Sequence, residues 1–416
     1  MSGGFSTGQN AVAGRVSLRV DTMVFTQWSS AEITRDLKDI TGTFRLTYAD
    51  TGRAAQALPS LIAVPPFFAI VREGMEFELA LDGELVMRGW IDEVNLDWEA
   101  ERMTASVSGR DRTGDLADCA ALPNGPAEFR GLDLLAIATI VAAPFGIRVR
   151  ADVDVGAPFP RFAANVHETA LAFLEKGARQ RAVLLVSDGV GGLLLTRGGS
   201  SSGPAPLAIP GNIQAGSTRF SWRQRFSDVF VKGGVDPAAR RAGRAAPIQP
   251  ASPPPETGMT APAPAQADET TTAIIGGHAT DPEITRWRPV VRAARSQSGA
   301  ASAQAQAEWA VRVARGLSSE LTYRVLDWRS DGALWRPNQV VQVTDPYADI
   351  DKPMLIQGVT YSLSDHGIET RIKVAGRTAF DRIDEPQPRI RRRIRTTANP
   401  RIYTTGTYPI RFGGGP

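Results

Sequence analysis

The sequence predicts a mainly β protein with α+β parts, and three observations carry that prediction. Short segments alternating apolar and polar residues recur along the 416 residues, Gly (40) and Pro (29) are plentiful, and aromatics make up only 7 %. Period-two alternation buries one face of a strand, and Gly and Pro close turns between strands; a helical bundle would need a 3.6-residue repeat instead. Hydrophobic residues reach 42 %, and the length suits about three or four domains of roughly 100–150 residues, each with its own core.

Residues 12–116 read as a first strand block. Val16–Val20 and Thr43–Tyr48 alternate, further strands are expected at Met75–Leu81, Glu84–Leu96 and Arg102–Gly109, and Leu81-Asp-Gly-Glu84 reads as a hairpin. Asp-Gly suits such a turn because both positions tolerate positive φ. Consecutive short strands of this kind build a small antiparallel barrel or sandwich.

Residues 125–205 mix helix and strand. Leu132, Leu135, Ala136 and Ile140 share a helical face that ends near Pro144. A second helix is expected from Asn165, with Glu168 completing a capping-box-like pair and His167 in the first turn. Its apolar stripe would be Val166, Ala170, Phe173, Leu174 and Gly177. A hairpin follows, from Val183–Val186 through Ser187-Asp-Gly189 to Leu193–Thr196.

Another strand block spans 206–235 and resumes at 320–380. Its strands are expected at Arg219–Arg225, Val229–Lys232, Thr322–Trp328, Val340–Thr344, Met354–Leu363 and Thr370–Ala375. Residues 236–319 interrupt it with a loop and helix. The Pro/Ala-rich part, 236–282, cannot bury enough apolar area to offset its ordering entropy and reads as a surface loop. A helix over about Ala300–Leu317 carries Trp309 and Val313 one turn apart. Residues 385–416 form a basic C-terminal arm with Arg389, Arg391, Arg392, Arg393 and Arg395 within seven positions.

Charge and chemistry narrow the function. The net charge is +3, with acids and bases interleaved outside the arm, whereas nucleic-acid binders concentrate basic residues. The single Cys119 allows no internal disulfide and no thiolate-rich zinc site. Met1–Asn10 lacks a signal-peptide pattern, and the apolar run Leu132–Phe145 is too short for a bilayer. A soluble protein folded in a reducing cytoplasm is expected.

Catalytic motifs fail on context. His167, His278 and His366 show no His-Glu-x-x-His spacing. The Gly199-x-Ser201-x-Gly203 match is followed by Pro204 and Pro206, which forbid the helix of a nucleophile elbow; Gly198–Gly203 reads as a flexible connector. Gly189-Val-Gly-Gly192 lacks the lysine of a phosphate loop and reads as a turn. Asp92-Glu93 and Asp381/Asp384-Glu385 read as solvated faces, since a glycosidase needs two acids across a cleft. No enzyme, cofactor or metal site is expected. The arginine arm has three readings: a solvated mobile arm, a dock onto an acidic protein neighbour, or a nucleic-acid contact.

Three stretches carry a family resemblance: Ser108-Gly-Arg-Asp-Arg-Thr-Gly-Asp-Leu-Ala-Asp-Cys119; Asn165–Lys176 leading through Ala178-Arg-Gln-Arg181 to Val183–Gly189 and Gly192–Arg197; and Asp331-Gly-Ala-Leu-Trp-Arg-Pro-Asn338 before Val340–Asp345. Together they resemble segments of the Mu-like phage baseplate hub proteins, relatives of the late control protein D group, in order over about residues 10–380. The Pro/Ala-rich insertion and the arginine arm fall outside it. The resemblance implies two small antiparallel β-barrel-like tube domains per subunit, at 12–116 and at 206–235 with 320–380, flanking the α/β domain. It implies a homotrimeric ring that adapts the hexameric tail tube to the trimeric central spike of a contractile tail and forms part of the DNA-ejection channel. The implied partners are the tail tube protein, the central spike protein, baseplate wedge proteins and the tape-measure protein, with DNA only in transit. The implied locations are the virion tail baseplate and, during assembly, the host cytoplasm. Two alternatives stand beside it: a hub that degrades peptidoglycan, and a hub of a secretion-type spike complex.

Overall fold

The structure, a computed structural model, describes residues 15–50, 71–98, 103–125, 128–165, 167–181, 183–234, 274–293, 300–377 and 380. The arginine arm lies outside them.

The first block contains β1 (Val16–Val20), β2 (Met23–Phe25), β3 (Ser30–Asp36), β4 (Thr43–Asp50), β5 (Glu76–Leu81), β6 (Glu84–Trp98) and β7 (Met103–Asp111). Alternation does what the pattern requires: Val16, Leu18 and Val20 are buried while Arg19 faces out. The strands pair antiparallel in the order β3-β4-β7-β6-β5-β1-β2. A register shift between Ile91 and Glu93 bends β6. Its first half, to Trp90, pairs with β5, and its second half pairs with β7 alone.

A short helix, α1 (Gly114–Asp118), leads to an α+β unit. Its elements are β8 (Glu128–Phe129), α2 (Leu134–Ala142), β9 (Arg148–Ala151), β10 (Phe162–Ala163), α3 (Ala170–Arg181), β11 (Leu184–Ser187) and β12 (Gly192–Thr196). Asp133 caps α2 by accepting the Ala136 N–H at 2.8 Å. The buried face of α2 differs from the expected one: Leu134, Ile137, Ala138 and Val141 enter the core, Leu132 and Leu135 are only partly buried against it, and Ile140 is exposed. The second helix starts later than the sequence suggests. Glu168 does accept the Asn165 N–H at 2.9 Å, but His167 adopts φ 71°, a left-handed turn that a helix cannot contain. Thr169 takes over as the cap, accepting the Ala172 N–H at 3.2 Å. His167 therefore sits in an exposed turn. Ala170, Phe173, Leu174 and Gly177 form the buried stripe as expected; Val166 lies outside the described residues.

The remainder comprises β13 (Ser201–Ser202), β14 (Leu207–Ala208), β15 (Ile213–Phe220), β16 (Asp228–Gly234), β17 (Ile274–Thr280), β18 (Pro289–Ala293), α4 (Ala300–Gly316), β19 (Ser319–Leu326), β20 (Arg329–Ser330), β21 (Ala333–Leu334), β22 (Gln339–Asp345), β23 (Ile350–Ser364) and β24 (Gly367–Ala375). Three expectations need correction. The strand expected over Arg219–Arg225 runs instead from Ile213 to Phe220, and the chain then turns, with the Arg225 N–H donating back to Trp222 O at 3.1 Å. The Gly198–Gly203 run is pinned: β13 pairs in parallel with β22, and the Gly203 N–H donates to Val340 O at 2.8 Å. Residues 274–280 are a strand, not loop. Strand β16 leaves the large sheet to pair antiparallel with β17 and in parallel with β18, and α4 covers this small sheet. Composition averaged over 236–282 hid the proline-free stretch Ala265–Asp281, in which this strand lies. Within it, Gly277 lets the helix approach, since a Cβ there would lie 2.3 Å from the Ala303 backbone. The insertion up to residue 273 lies outside the described residues.

The two strand blocks share one sheet. Its path runs β15-β19-β24-β23-β3-β4-β7-β6-β5-β1-β2, because β23 pairs with β3 from Gly358↔Asp36 to Leu363↔Ala31. Among the described residues the path ends at β15 and β2 and does not close on itself by hydrogen bonds. One apolar core serves both blocks, joining Ile33, Phe44 and Leu79 to Tyr323, Trp328, Trp335 and Tyr361. The α+β unit has its own core, to which the first block contributes Ile40. Among the described residues no helix is long and apolar enough to cross a membrane.

Candidate functional site

The chemistry-bearing residues singled out in the sequence do not converge. His167 and His366 are exposed in separate turns, and His278 of β17 is bound to Asp228 at 2.9 Å while stacking on Phe230. Ser201 lies in a strand beside β22. Asp92 is held by Arg110 at 2.8 Å. Among the described residues no cluster of three His, Cys, Asp or Glu could hold a metal. Arg389, Arg391, Arg392, Arg393, Arg395, Asp381, Asp384 and Glu385 lie outside the described residues. Polar chemistry gathers instead at two joints between units.

The first joint lies over the seam between the two strand blocks, which the shared sheet and core hold together. Asp82, in the β5–β6 turn, receives Arg15 through two bonds of 2.6 and 2.7 Å. Arg15 also reaches Asp327 of the second block at 3.0 Å and lies 4.9 Å over the Trp328 ring. Arg329 binds Glu84 at 2.7 Å, and Arg336 binds the same carboxylate. The Arg15 hydrogen bond holds Asp82 below the usual carboxylate range. For Glu84, burial pushes upward but the bonds from Arg329 and Arg336 override it, and the net direction is down. Beneath these charges, the Tyr361 hydroxyl donates to the Trp335 carbonyl, and burial pushes that phenol up to about 12.

The second joint seats the α+β unit on the first block, and it is polar. Asp111, 1 % exposed at the end of β7, accepts the Gly42 and Thr113 N–H groups, each at 3.0 Å, and the Thr113 hydroxyl. Burial pushes Asp111 above its ordinary value despite these donors. Arg35 of β3 donates to Ser187 O at 2.9 Å, and burial works against its charge. Gly189 completes the seat: its carbonyl accepts the Arg88 N–H at 2.8 Å. With φ 84° and a would-be Cβ 2.6 Å from Val86 O, only glycine fits there.

The second strand block meets both units at this point. Arg35, Asp36, Ser187, Asp188, Arg336 and Asn338 line a cavity of about 210 Å³. Asn338 accepts the Gly199 N–H at 2.8 Å and donates to Arg197 O at 3.0 Å. The three stretches that carry the family resemblance thus converge: Asp111 and Thr113 from the first, Ser187–Gly189 from the second, Arg336 and Asn338 from the third. Sequence reasoning gave these residues no individual role beyond turn and strand positions, it missed Arg15 and Arg35 altogether, and it placed Glu84 only at the start of a strand. Asp82 was visible only as half of an Asp-Gly turn.

Comparison with known proteins agrees with this architecture. Family models match in three places: Mu phage baseplate assembly protein GpP-like, N-terminal, at residues 15–111; baseplate hub protein gp44-like, second domain, at 113–197; and Mu phage baseplate assembly protein GpP, fourth domain, at 299–383. The baseplate hub protein gp44 of Escherichia phage Mu is 31 % identical over 382 residues, 89 % of each chain. The crystal structure of the 43 kDa tail protein of prophage MuSo2 from Shewanella oneidensis superposes with TM-score 0.72 at 30 % identity, covering 88 % of this chain and 99 % of that one. A tail protein from Neisseria meningitidis MC58 shares the fold at TM-score 0.66 and 21 % identity, over 87 % of this chain and 96 % of its own. On this identity and coverage, the chain belongs to the family of Mu-like phage tail baseplate hub proteins.

Proposed function

We propose that the chain acts as a structural, non-enzymatic hub whose three copies close into a ring in a contractile tail. The ring adapts a hexameric tail tube to a trimeric central spike and forms part of the channel for DNA in transit. The observation that carries this reading is the β3–β23 pairing, which makes two strand blocks into one stiff sheet. Three such subunits offer six blocks.

A ring also needs two different surfaces that meet head to tail. The sheet offers them at its ends. β15 pairs on one side with β19 and is exposed along nearly its whole length, with Phe220 at its end 58 % exposed and Trp222 just beyond it 48 % exposed. At the other end Met23 and Val24 of β2 are 45 % and 57 % exposed. Long unpaired edges and exposed apolar side chains are hazards in a monomer and assets in an assembly. Tube, spike, wedge and tape-measure proteins are the partners this placement implies, in the virion baseplate and earlier in the host cytoplasm.

Light scattering on the purified protein, alone and with its spike protein, tests the reading. A mass of three times the 44.6 kDa chain, or a three-to-three complex with the spike, supports it. A monomer indifferent to the spike overturns the ring. Release of peptidoglycan fragments by the purified chain would overturn the non-enzymatic part.

A further inference from the structure

Strand β9 belongs to a sheet separate from the one whose ends are proposed for the ring. It is the outer strand of the sheet β11-β12-β9, held on one side by parallel pairing with β12. Just past the strand, the Asp152 N–H donates to Leu195 O of β12 at 3.1 Å. Backbone groups alternate sides along a strand, so the N–H and C=O of Val149 and Ala151 point away from β12. Through Arg148, Val149 and Arg150, β9 walls a groove of about 710 Å³ whose other sides come from Thr139 and Ala143 at the end of α2 and from Val190–Gly192 of the hairpin turn. Val190 is exposed there.

The charge at this groove is positive. Arg148 and Arg150 share one face of β9 and are both exposed. Arg150 meets Asp188 at 3.6 Å, and Arg148 has no ion pair among the described residues. We propose that β9 receives an extended, acidic segment of a partner protein by strand addition. Val149 and Ala151 supply the outward backbone bonds. A guest with acidic residues at every second position sets its carboxylates against Arg148 and Arg150, and its alternate apolar residues face the other way. This site is independent of the ring, so either can fail without the other.

Fluorescence anisotropy of a labelled hexapeptide alternating Glu and Val, titrated with the full chain, tests the site. Saturable binding is expected, weakened on the order of 10-fold by R148E/R150E, with a Lys-Val peptide failing to bind. Hydrogen exchange at Val149 and Ala151 should slow in the presence of the acidic peptide. V149P, which deletes one outward donor, should also weaken binding; the surface arginine pair keeps the test decisive if that variant does not fold. Absent binding up to millimolar peptide, equal binding of the basic peptide, or protection elsewhere with Val149 and Ala151 unchanged would each overturn the proposal.

Discussion

The two joints of this subunit are built from opposite materials. Between the strand blocks, sheet and apolar core run through without a break, and ion pairs only decorate the outside. Between the first block and the α+β unit the cores are nearly separate, with Ile40 crossing, and the contact rests on Asp111 against the Ser187 side chain, on Arg35 and on Gly189. Burying apolar area is non-directional and cooperative, so the first joint should behave as one body. Buried polar groups are unforgiving of geometry and gain little net energy. They specify how the α+β unit sits more than they hold it.

The comparison can be broken most forcefully in the shared core. I33A, at a fully buried position of β3, should cost about 2–5 kcal/mol. Denaturant unfolding should show both strand blocks weakened together, while the α+β unit keeps its protection. Uncoupled loss in the first block alone would break the one-body description.

A smaller effect is expected at the polar joint. G189A imposes a left-handed conformation on a residue with a Cβ and drives that Cβ toward Val86 O, costing roughly 1–2 kcal/mol or more. Limited proteolysis should then open residues 183–197 first, with the large sheet intact.

Acid should separate the joints by sign. Asp111 is raised in the folded protein, so its charged form costs stability at neutral pH, and that cost is relieved as pH falls through its raised value toward 3.8. Asp82 and Glu84 are depressed, so their contribution is full above their ordinary values and lost as pH falls through their folded ones. Protection factors, which remove the intrinsic pH dependence of exchange, should rise across residues 183–197 on mild acidification, while the Asp82 and Glu84 ion pairs loosen only in stronger acid. The smallest effect belongs to R15A, about 1 kcal/mol for a pair whose side chains are 27 % and 23 % exposed, fading with added salt. A calorimetric salt series checks it.

Much of this was legible in the sequence. Alternation placed most strands of the large sheet, and the apolar stripe placed α3, because local periodicity and burial agree there. The start of α3 was misplaced because Asn165 and Glu168 form the same bond in a turn as in a capping box; only the left-handed His167 distinguishes them. β17 was hidden by its proline-rich neighbours. The joints were the least legible. Arg15 and Asp82 lie 67 positions apart and Arg35 and Ser187 152 apart, and no local pattern links such pairs. The motifs did mark Asp111 and Asn338, but pattern alone cannot say that they brace units rather than bind a ligand.

Native-state hydrogen exchange on the full chain, resolved by segment, tests most directly whether two strand blocks make one rigid body. One rigid body requires that β3, β4 and β7 exchange with the same opening free energy as β19, β23 and β24, and that α2, α3 and β12 open separately. Different opening energies for β3 and β23, strands that hydrogen-bond to each other, would contradict it.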